Sequence, residues 1–169
     1  MKVSVKHGLL LGLIGALSAG VLIFGSQAEQ LAPAVTYSTL SGARIEQTAL
    51  KGKVVLVNFW ATSCTGCMKE MPKLVQTHHK FAARGYETVA VAMSYDRPDY
   101  VQTYTNTNKL PFKVALDLDG SIAQRFGEVK LTPTTFLIDK RGRIVQRFLG
   151  EPDFNTLEKL IEQKLAESV

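Results

Sequence analysis

The chain has two cysteines, Cys64 and Cys67, and only two residues separate them. They follow a continuous apolar run rich in β-branched residues, KVVLVNFW at 53–60. Two thiols at this spacing suit a structural disulfide, half of a metal site or a reversible redox pair. The change from a strand pattern to a helical pattern places the pair at the start of a helix. There the free N–H groups and the helix dipole stabilise a thiolate, which favours a redox pair.

The other interpretations of the cysteine pair fit less well. A disulfide across two residues closes a very short loop and removes little chain entropy. A closed zinc site needs four ligands, and the nearest candidates, His78 and His79, lie about 16 Å further along the same predicted helix, which is too far to share a metal with the cysteines. We expect these histidines to be one packed and one solvated helix residue. Met68 and Met71 suit soft copper(I), so a copper-binding module stays open as an alternative, whereas no resident metal or other cofactor is predicted.

The composition limits the class of protein. The 169 residues are 46% hydrophobic and 21% charged, which is enough for one globular domain that folds without disulfides. The net charge is +5, but basic and acidic residues are interspersed and no basic stripe alternates with aromatic residues. Nucleic-acid binding is therefore not expected.

An uncharged segment precedes the domain. Residues 8–25 carry no charge and follow Lys2 and Lys6, a pattern that indicates export or membrane anchoring. The length of the segment favours an uncleaved anchor within residues 1–28 over a signal peptide cut after Ala28. Both interpretations place the rest of the chain outside the cytoplasm, on the periplasmic side of the inner membrane.

Strand and helix patterns alternate along the rest of the chain. A hairpin is predicted at 36–50, strands at 53–60, 87–94, 112–117, 132–139 and 143–150, and helices at 68–85, from Asp96 onward, at 119–127 and at 153–167. In the second of these helices, Asp96 is the predicted N-cap and Pro98 is expected in the first turn. Pro72 is expected to kink the first of these helices. This order predicts a layered α/β sheet with helices on both faces and a terminal hairpin.

The segments VNFWATSCTGC, KEMP and LTPTTFLID together resemble the thioredoxin superfamily. The resemblance is to its TlpA/ResA-like branch of membrane-anchored or exported thiol–disulfide oxidoreductases, and it spans residues 36–167. It implies a thioredoxin-like fold with a central mixed sheet and a cis Thr132–Pro133 bond lying against the cysteines. It also implies that Trp60, Thr132 and Pro133 bind the substrate, with plain core packing as the alternative for Trp60.

Three further positions bear on the chemistry that the resemblance implies. Asn58 stands where similar cytoplasmic thioredoxins carry a buried aspartate, and an amide cannot titrate. Glu70 matches the acidic position of the TlpA/ResA-like branch, which implies a role as proton acceptor and donor. The alternative is a first-turn glutamate that only favours the helix dipole. Gly66 replaces a proline that many relatives have, so the reduction potential of relatives does not carry over.

The resemblance implies an extracytoplasmic enzyme that reduces protein disulfides, with Cys64 attacking and Cys67 resolving the mixed disulfide. Implied partners are apocytochrome c thiols as substrate and a membrane electron donor of the CcdA or DsbD kind. A disulfide oxidase or isomerase is the alternative within redox chemistry. A copper-binding thioredoxin-like chaperone is the alternative from another class.

Overall fold

The computed structural model of the chain describes residues 30–168. Within this range the strands are β1 (Thr36–Ser38), β2 (Arg44–Glu46), β3 (Val54–Trp60), β4 (Tyr86–Ala92), β5 (Lys113–Leu116), β6 (Thr134–Ile138) and β7 (Ile144–Leu149). The helices are α1 (Thr65–Phe81), α2 (Pro98–Thr107), α3 (Ser121–Arg125) and α4 (Phe154–Ala166).

Five of these strands form one mixed sheet. Its order is β5-β4-β3-β6-β7, with β3, β4 and β5 parallel and β6 and β7 running antiparallel to their neighbours. β1 and β2 pair as a separate antiparallel hairpin. The predicted mixed α/β sheet and its terminal β6–β7 hairpin are thus confirmed. Because of these directions, the carboxyl ends of β3 to β5 and the amino end of β6 meet at one edge of the sheet.

The central strand β3 is buried on both faces. Val55, Val57 and Phe59 pack into a core formed with α3 and the β1–β2 hairpin. Leu56 and Trp60 point the other way, into a core formed with α1, α2 and α4. This alternation follows from the two-residue period of a strand, and it explains the continuous apolar run. Helices lie on both faces of the sheet, as predicted.

Two helix boundaries differ from the sequence-based expectation. α1 begins at Thr65, earlier than predicted, and continues through Pro72 to Phe81. A short 3-10 turn follows and ends at Gly85, whose φ of 91° suits a residue without a side chain. α2 has Pro98 in its first turn, as expected, but its N-cap is Arg97. The prediction that Asp96 caps α2 is therefore wrong.

The predicted export or anchor segment, residues 1–28, lies outside the described residues. Within residues 30–168, no helix combines the length and the apolar character needed to cross a membrane.

Candidate functional site

The two cysteines form a disulfide at the start of α1. Their Cα atoms are 5.2 Å apart, and Cys64 is the N-cap of the helix, its Sγ accepting a hydrogen bond from the Cys67 N–H at 3.1 Å. Cys64 is half-buried, whereas Cys67 has no exposed surface. Solvent and substrates therefore reach Cys64 first, and an anionic sulfur there has a backbone N–H donor and the helix dipole beside it.

The turn that carries Cys64 is held by an acidic side chain from the next strand connection. Asp96 accepts hydrogen bonds from the Thr62 N–H and from the Thr62 hydroxyl, both at 2.6 Å. The Cys64 N–H in turn donates to the Ala61 carbonyl at 3.1 Å. Sequence reasoning missed this role of Asp96, although an acid just after a buried strand is placed at the edge where parallel strands end.

The Pro133 loop lies directly against the first turn of α1. The Thr132–Pro133 peptide bond is cis, and a methyl group added at Gly66 would lie 3.4 Å from Pro133 Cδ. The Tyr95 and Thr132 hydroxyls are hydrogen-bonded at 3.2 Å, and the Gly150 N–H donates to the Pro133 carbonyl at 2.8 Å. The expected cis bond and its place beside the cysteines are both present in the structure.

Glu70 is a buried acid one helical turn after Cys67. Its side chain has no exposed surface, and its Oε1 accepts a hydrogen bond from the Asn58 amide at 2.8 Å. The same Asn58 nitrogen donates to the Thr135 hydroxyl at 3.0 Å, while Glu70 Oε2 has no hydrogen-bond partner among residues 30–168. The even-numbered residues of β3 face α1, which is why Asn58 meets Glu70.

This environment changes the acidity of Glu70. Burial raises the pKa of Glu70 from 4.5 to about 7, although the hydrogen bond from Asn58 lowers it. Near neutral pH the side chain therefore exists both as an acid and as a carboxylate, which suits a group that accepts and returns a proton. The place of Glu70 on the helix also puts it three residues after Cys67, so the two side chains lie on the same face.

Trp60 lies beneath the site rather than on its surface. Its ring has no exposed surface and packs against Tyr104 of α2, with ring centroids 5.5 Å apart. It belongs to the same hydrophobic core as Cys67 and Met71. This burial favours the core-packing alternative for Trp60, and it places the Met71 thioether in the core as well.

The two histidines of α1 lie away from the cysteines. The ring of His78 is buried and lies 3.2 Å from the Thr88 hydroxyl through its Nδ1, while His79 is exposed. These are the packed and solvated positions expected from the sequence. In the described part of the chain, no three His, Cys, Asp or Glu side chains cluster as metal ligands.

Exposed apolar side chains lie at the edge of the sheet where β3 leads into the cysteine turn. They are large residues that follow β4 and β5, precede β6 and end β7: Tyr95, Leu118, Leu131 and Leu149, each more than half exposed. The sheet directions bring these chain ends to the same edge of the sheet as the disulfide, and we call these four side chains the apolar rim. A surface of this kind suits contact with another protein.

Comparison with known proteins gives consistent matches. The Redoxin family model matches residues 27–161. Thiol-disulfide oxidoreductase ResA of Bacillus thuringiensis subsp. konkukian (strain 97-27) is 37% identical over 133 residues, which cover 78% of this chain and 75% of that protein. ResA of Bacillus subtilis (strain 168) is 33% identical over 156 residues, covering 88% and 86%. A crystal structure of a thioredoxin-family thiol:disulfide interchange protein from Chlorobium tepidum TLS aligns with a TM-score of 0.76 at 26% identity, covering 84% of this chain and all of that chain.

The fold and the site define a thioredoxin-like protein whose chemistry is thiol–disulfide exchange. The chain belongs to the Redoxin family, because the family model covers most of its length. It is a thiol–disulfide oxidoreductase of the ResA type, with Cys64 and Cys67 as its thiol pair. The resemblance stated from the sequence is thereby confirmed at the level of family and enzyme class.

Proposed function

We propose that this enzyme uses Cys64 and Cys67 to reduce disulfide bonds in other proteins. The observation that carries the proposal is the unequal placement of the two sulfurs. Cys64 is the more accessible and caps α1, whereas Cys67 is buried one turn before the titratable Glu70. One thiol is thus suited to attack, and the other to complete the reaction from inside the protein.

The reaction starts from the dithiol form. The Cys64 thiolate attacks one sulfur of a substrate disulfide, so that a Cys64–substrate bond forms and the other substrate sulfur leaves as a thiolate that takes up a proton. The Cys67 thiol then gives its proton to the Glu70 carboxylate and attacks Cys64 Sγ. This step forms the Cys64–Cys67 disulfide, and the second substrate sulfur leaves as a thiolate that is then protonated. Two electrons have passed from the cysteine pair to the substrate.

The charge of Glu70 supports the proposed direction of electron flow. A carboxylate at Glu70 repels a thiolate at Cys67, because the two groups lie one helical turn apart in a buried region. This repulsion destabilises the reduced, ionised form more than the disulfide, in which neither sulfur is charged. This effect favours the disulfide form and lowers the reduction potential, whereas the stabilised Cys64 thiolate acts in the opposite direction. We propose that the effect of Glu70 prevails. An oxidase would need the opposite balance.

The Pro133 loop and the apolar rim support a protein substrate. Within residues 30–168, the backbone N–H and C=O of Thr132 have no hydrogen-bond partner. They can therefore pair with an extended segment beside the substrate cysteine, as an added strand does. Leu131 and Tyr95 lie next to this edge and are exposed, so they can contact apolar side chains of the bound segment.

We place this reaction outside the cytoplasm, in a domain of residues 36–167 that follows an anchor or signal segment within residues 1–28. The uncharged run at 8–25 and its basic flank support this location. Intact-mass measurement of the protein from membranes and from the periplasm distinguishes the two forms. An anchored protein keeps residues 1–28, whereas cleavage after Ala28 gives a chain that begins at Glu29.

The substrate we propose is the disulfide form of apocytochrome c, with electrons supplied by a membrane dithiol donor of the CcdA or DsbD kind. The support is the resemblance to the TlpA/ResA-like branch. Reduction rates for a disulfide peptide with a CxxCH sequence and for one with its histidine replaced test the substrate. A kcat/KM at least tenfold higher for the first peptide is expected, and equal values would contradict this choice.

Trapping of the mixed disulfide tests the reductase proposal itself. Cys67→Ser should accumulate a covalent adduct between Cys64 and a disulfide substrate, because the resolving thiol is missing. Cys64→Ser is the matched control and should form little adduct, since Cys67 is buried. Adduct formation by Cys64→Ser alone would reverse the assigned roles, and the absence of adduct in both variants would contradict the mechanism.

A further inference from the structure

The loop between β7 and α4 carries a cluster of ion pairs beside the site. Glu151 Oε2 accepts a hydrogen bond from Lys69 Nζ, and Oε1 accepts one from Lys73 Nζ, both at 2.8 Å. The Glu151 side chain is 22% exposed, whereas the side chains of Lys69 and Lys73 are 71% and 50% exposed. The adjacent Gly150 N–H donates to the carbonyl of Pro133. This loop thus contacts both α1 and the cis-proline loop.

We propose that Glu151 is a positioning residue that controls the charge of the buried Glu70 through this cluster. Lys69 immediately precedes Glu70 in α1, and Lys73 lies one turn beyond it. Glu151 neutralises part of the positive charge of both lysines. Without it, two uncompensated ammonium groups would favour the carboxylate form of Glu70. The effect of this coupling on catalysis rests on the proposed role of Glu70, but the coupling itself does not.

The surroundings of Glu70 include groups from several elements. They are Asn58 on β3, Thr135 on β6, Cys67, Lys69 and Lys73 on α1, Glu151 in the β7–α4 loop, and Asp153, which caps α4 and whose pKa is lowered in part by the charge of Lys73. Among the causes that move the pKa of Glu70, burial is the largest and raises it, and the hydrogen bond from Asn58 lowers it. The charge of Glu151 raises this pKa further, and the charge of Lys73 lowers it. Removing the charge of Glu151 should therefore lower the pKa of Glu70, and removing the charge of Lys73 should raise it.

The test measures the ionisation of Glu70 directly, by ¹³C NMR titration of its carboxyl carbon in the oxidised full chain. Glu151→Gln should lower the titration midpoint by about half a pH unit, and Lys73→Gln should raise it by a similar amount. Both shifts should shrink in 1 M NaCl, because the cluster is partly exposed. Glu158→Gln is the matched control. Glu158 on α4 accepts a hydrogen bond from Lys80 of α1. Lys80 lies about 15 Å beyond Glu70 along the axis of α1, so the titration midpoint of Glu70 should not move.

An unchanged midpoint in Glu151→Gln would overturn the proposal, as would shifts of the same sign in the two cluster variants. A second measurement separates this proposal from the proposed function. The rate of thiol alkylation in the reduced protein, followed against pH, should shift in the same direction as each NMR midpoint. If the midpoints move and the alkylation profiles do not, the coupling between Glu151 and Glu70 stands, and the role of Glu70 in thiol chemistry is contradicted.

Discussion

Replacing Glu70 with glutamine should change how the stability of the oxidised protein depends on pH. Burial raises the pKa of Glu70 from 4.5 to about 7, and one pKa unit corresponds to about 1.4 kcal/mol. The ionised side chain thus costs the folded state about 3 kcal/mol relative to the acid form. Because the folded-state pKa is the higher one, the stability from the acid form is fully present below about pH 4.5 and is lost as the pH rises through about 7.

Glu70→Gln keeps an Oε1 acceptor for the Asn58 amide and removes the titration. We expect the variant and the wild-type protein to have similar unfolding free energies at pH 4. At pH 8 the variant should be more stable by about 3 kcal/mol. Urea unfolding of the oxidised proteins between pH 4 and 8 measures this difference, and Glu162→Gln on the exposed face of α4 is the control. A difference between variant and wild type that stays constant across this range would refute the raised pKa of Glu70.

Three further substitutions test other contacts of the site. Thr62→Val removes the hydroxyl donor to Asp96, so urea unfolding should show a free energy of unfolding lower by about 1 kcal/mol. The decrease should be larger in the dithiol form, where no disulfide holds the turn. Equal decreases in both forms would show that this contact does not hold the turn in the dithiol form. Asn58→Asp puts a second carboxyl group against Glu70, and the NMR midpoint of Glu70 should rise above its wild-type value; a lower midpoint would contradict the geometry. Gly66→Ala should raise the unfolding free energy by about 0.5–1 kcal/mol, because alanine has a higher helix propensity than glycine. The added methyl group would contact Pro133 at 3.4 Å. A fall in the melting temperature would show that the cis-proline loop cannot accommodate this methyl group.

The local features of the site could be predicted from the sequence, because they depend on neighbouring residues. The spacing of Cys64 and Cys67 behind an apolar run placed them at the junction of a strand and a helix. The period of β3 likewise makes its alternate residues face opposite cores. The cis bond before Pro133 has no such local signal, and only the resemblance of LTPTTFLID to a known family indicated it.

The contacts that hold and tune the site could not be predicted, because they join distant parts of the chain. Asp96 looked like an ordinary helix cap, yet it bonds Thr62, which lies 34 residues earlier. Glu151 meets Lys69 across 82 residues, and nothing in a charged loop residue reveals its partner. The resemblance implied that Trp60 binds the substrate, with core packing as the alternative, and the structure buries its ring against Tyr104 of α2.

The reduction potential of the Cys64–Cys67 pair tests the central proposal most directly. Equilibration of the protein with glutathione buffers of known ratio, followed by quantification of the dithiol and disulfide forms, gives this value. A protein that supplies electrons to other disulfides should have a potential below about −250 mV. A potential near about −120 mV would instead mark a strong oxidant, and it would contradict both the proposed effect of Glu70 on the cysteine pair and the proposed direction of electron flow.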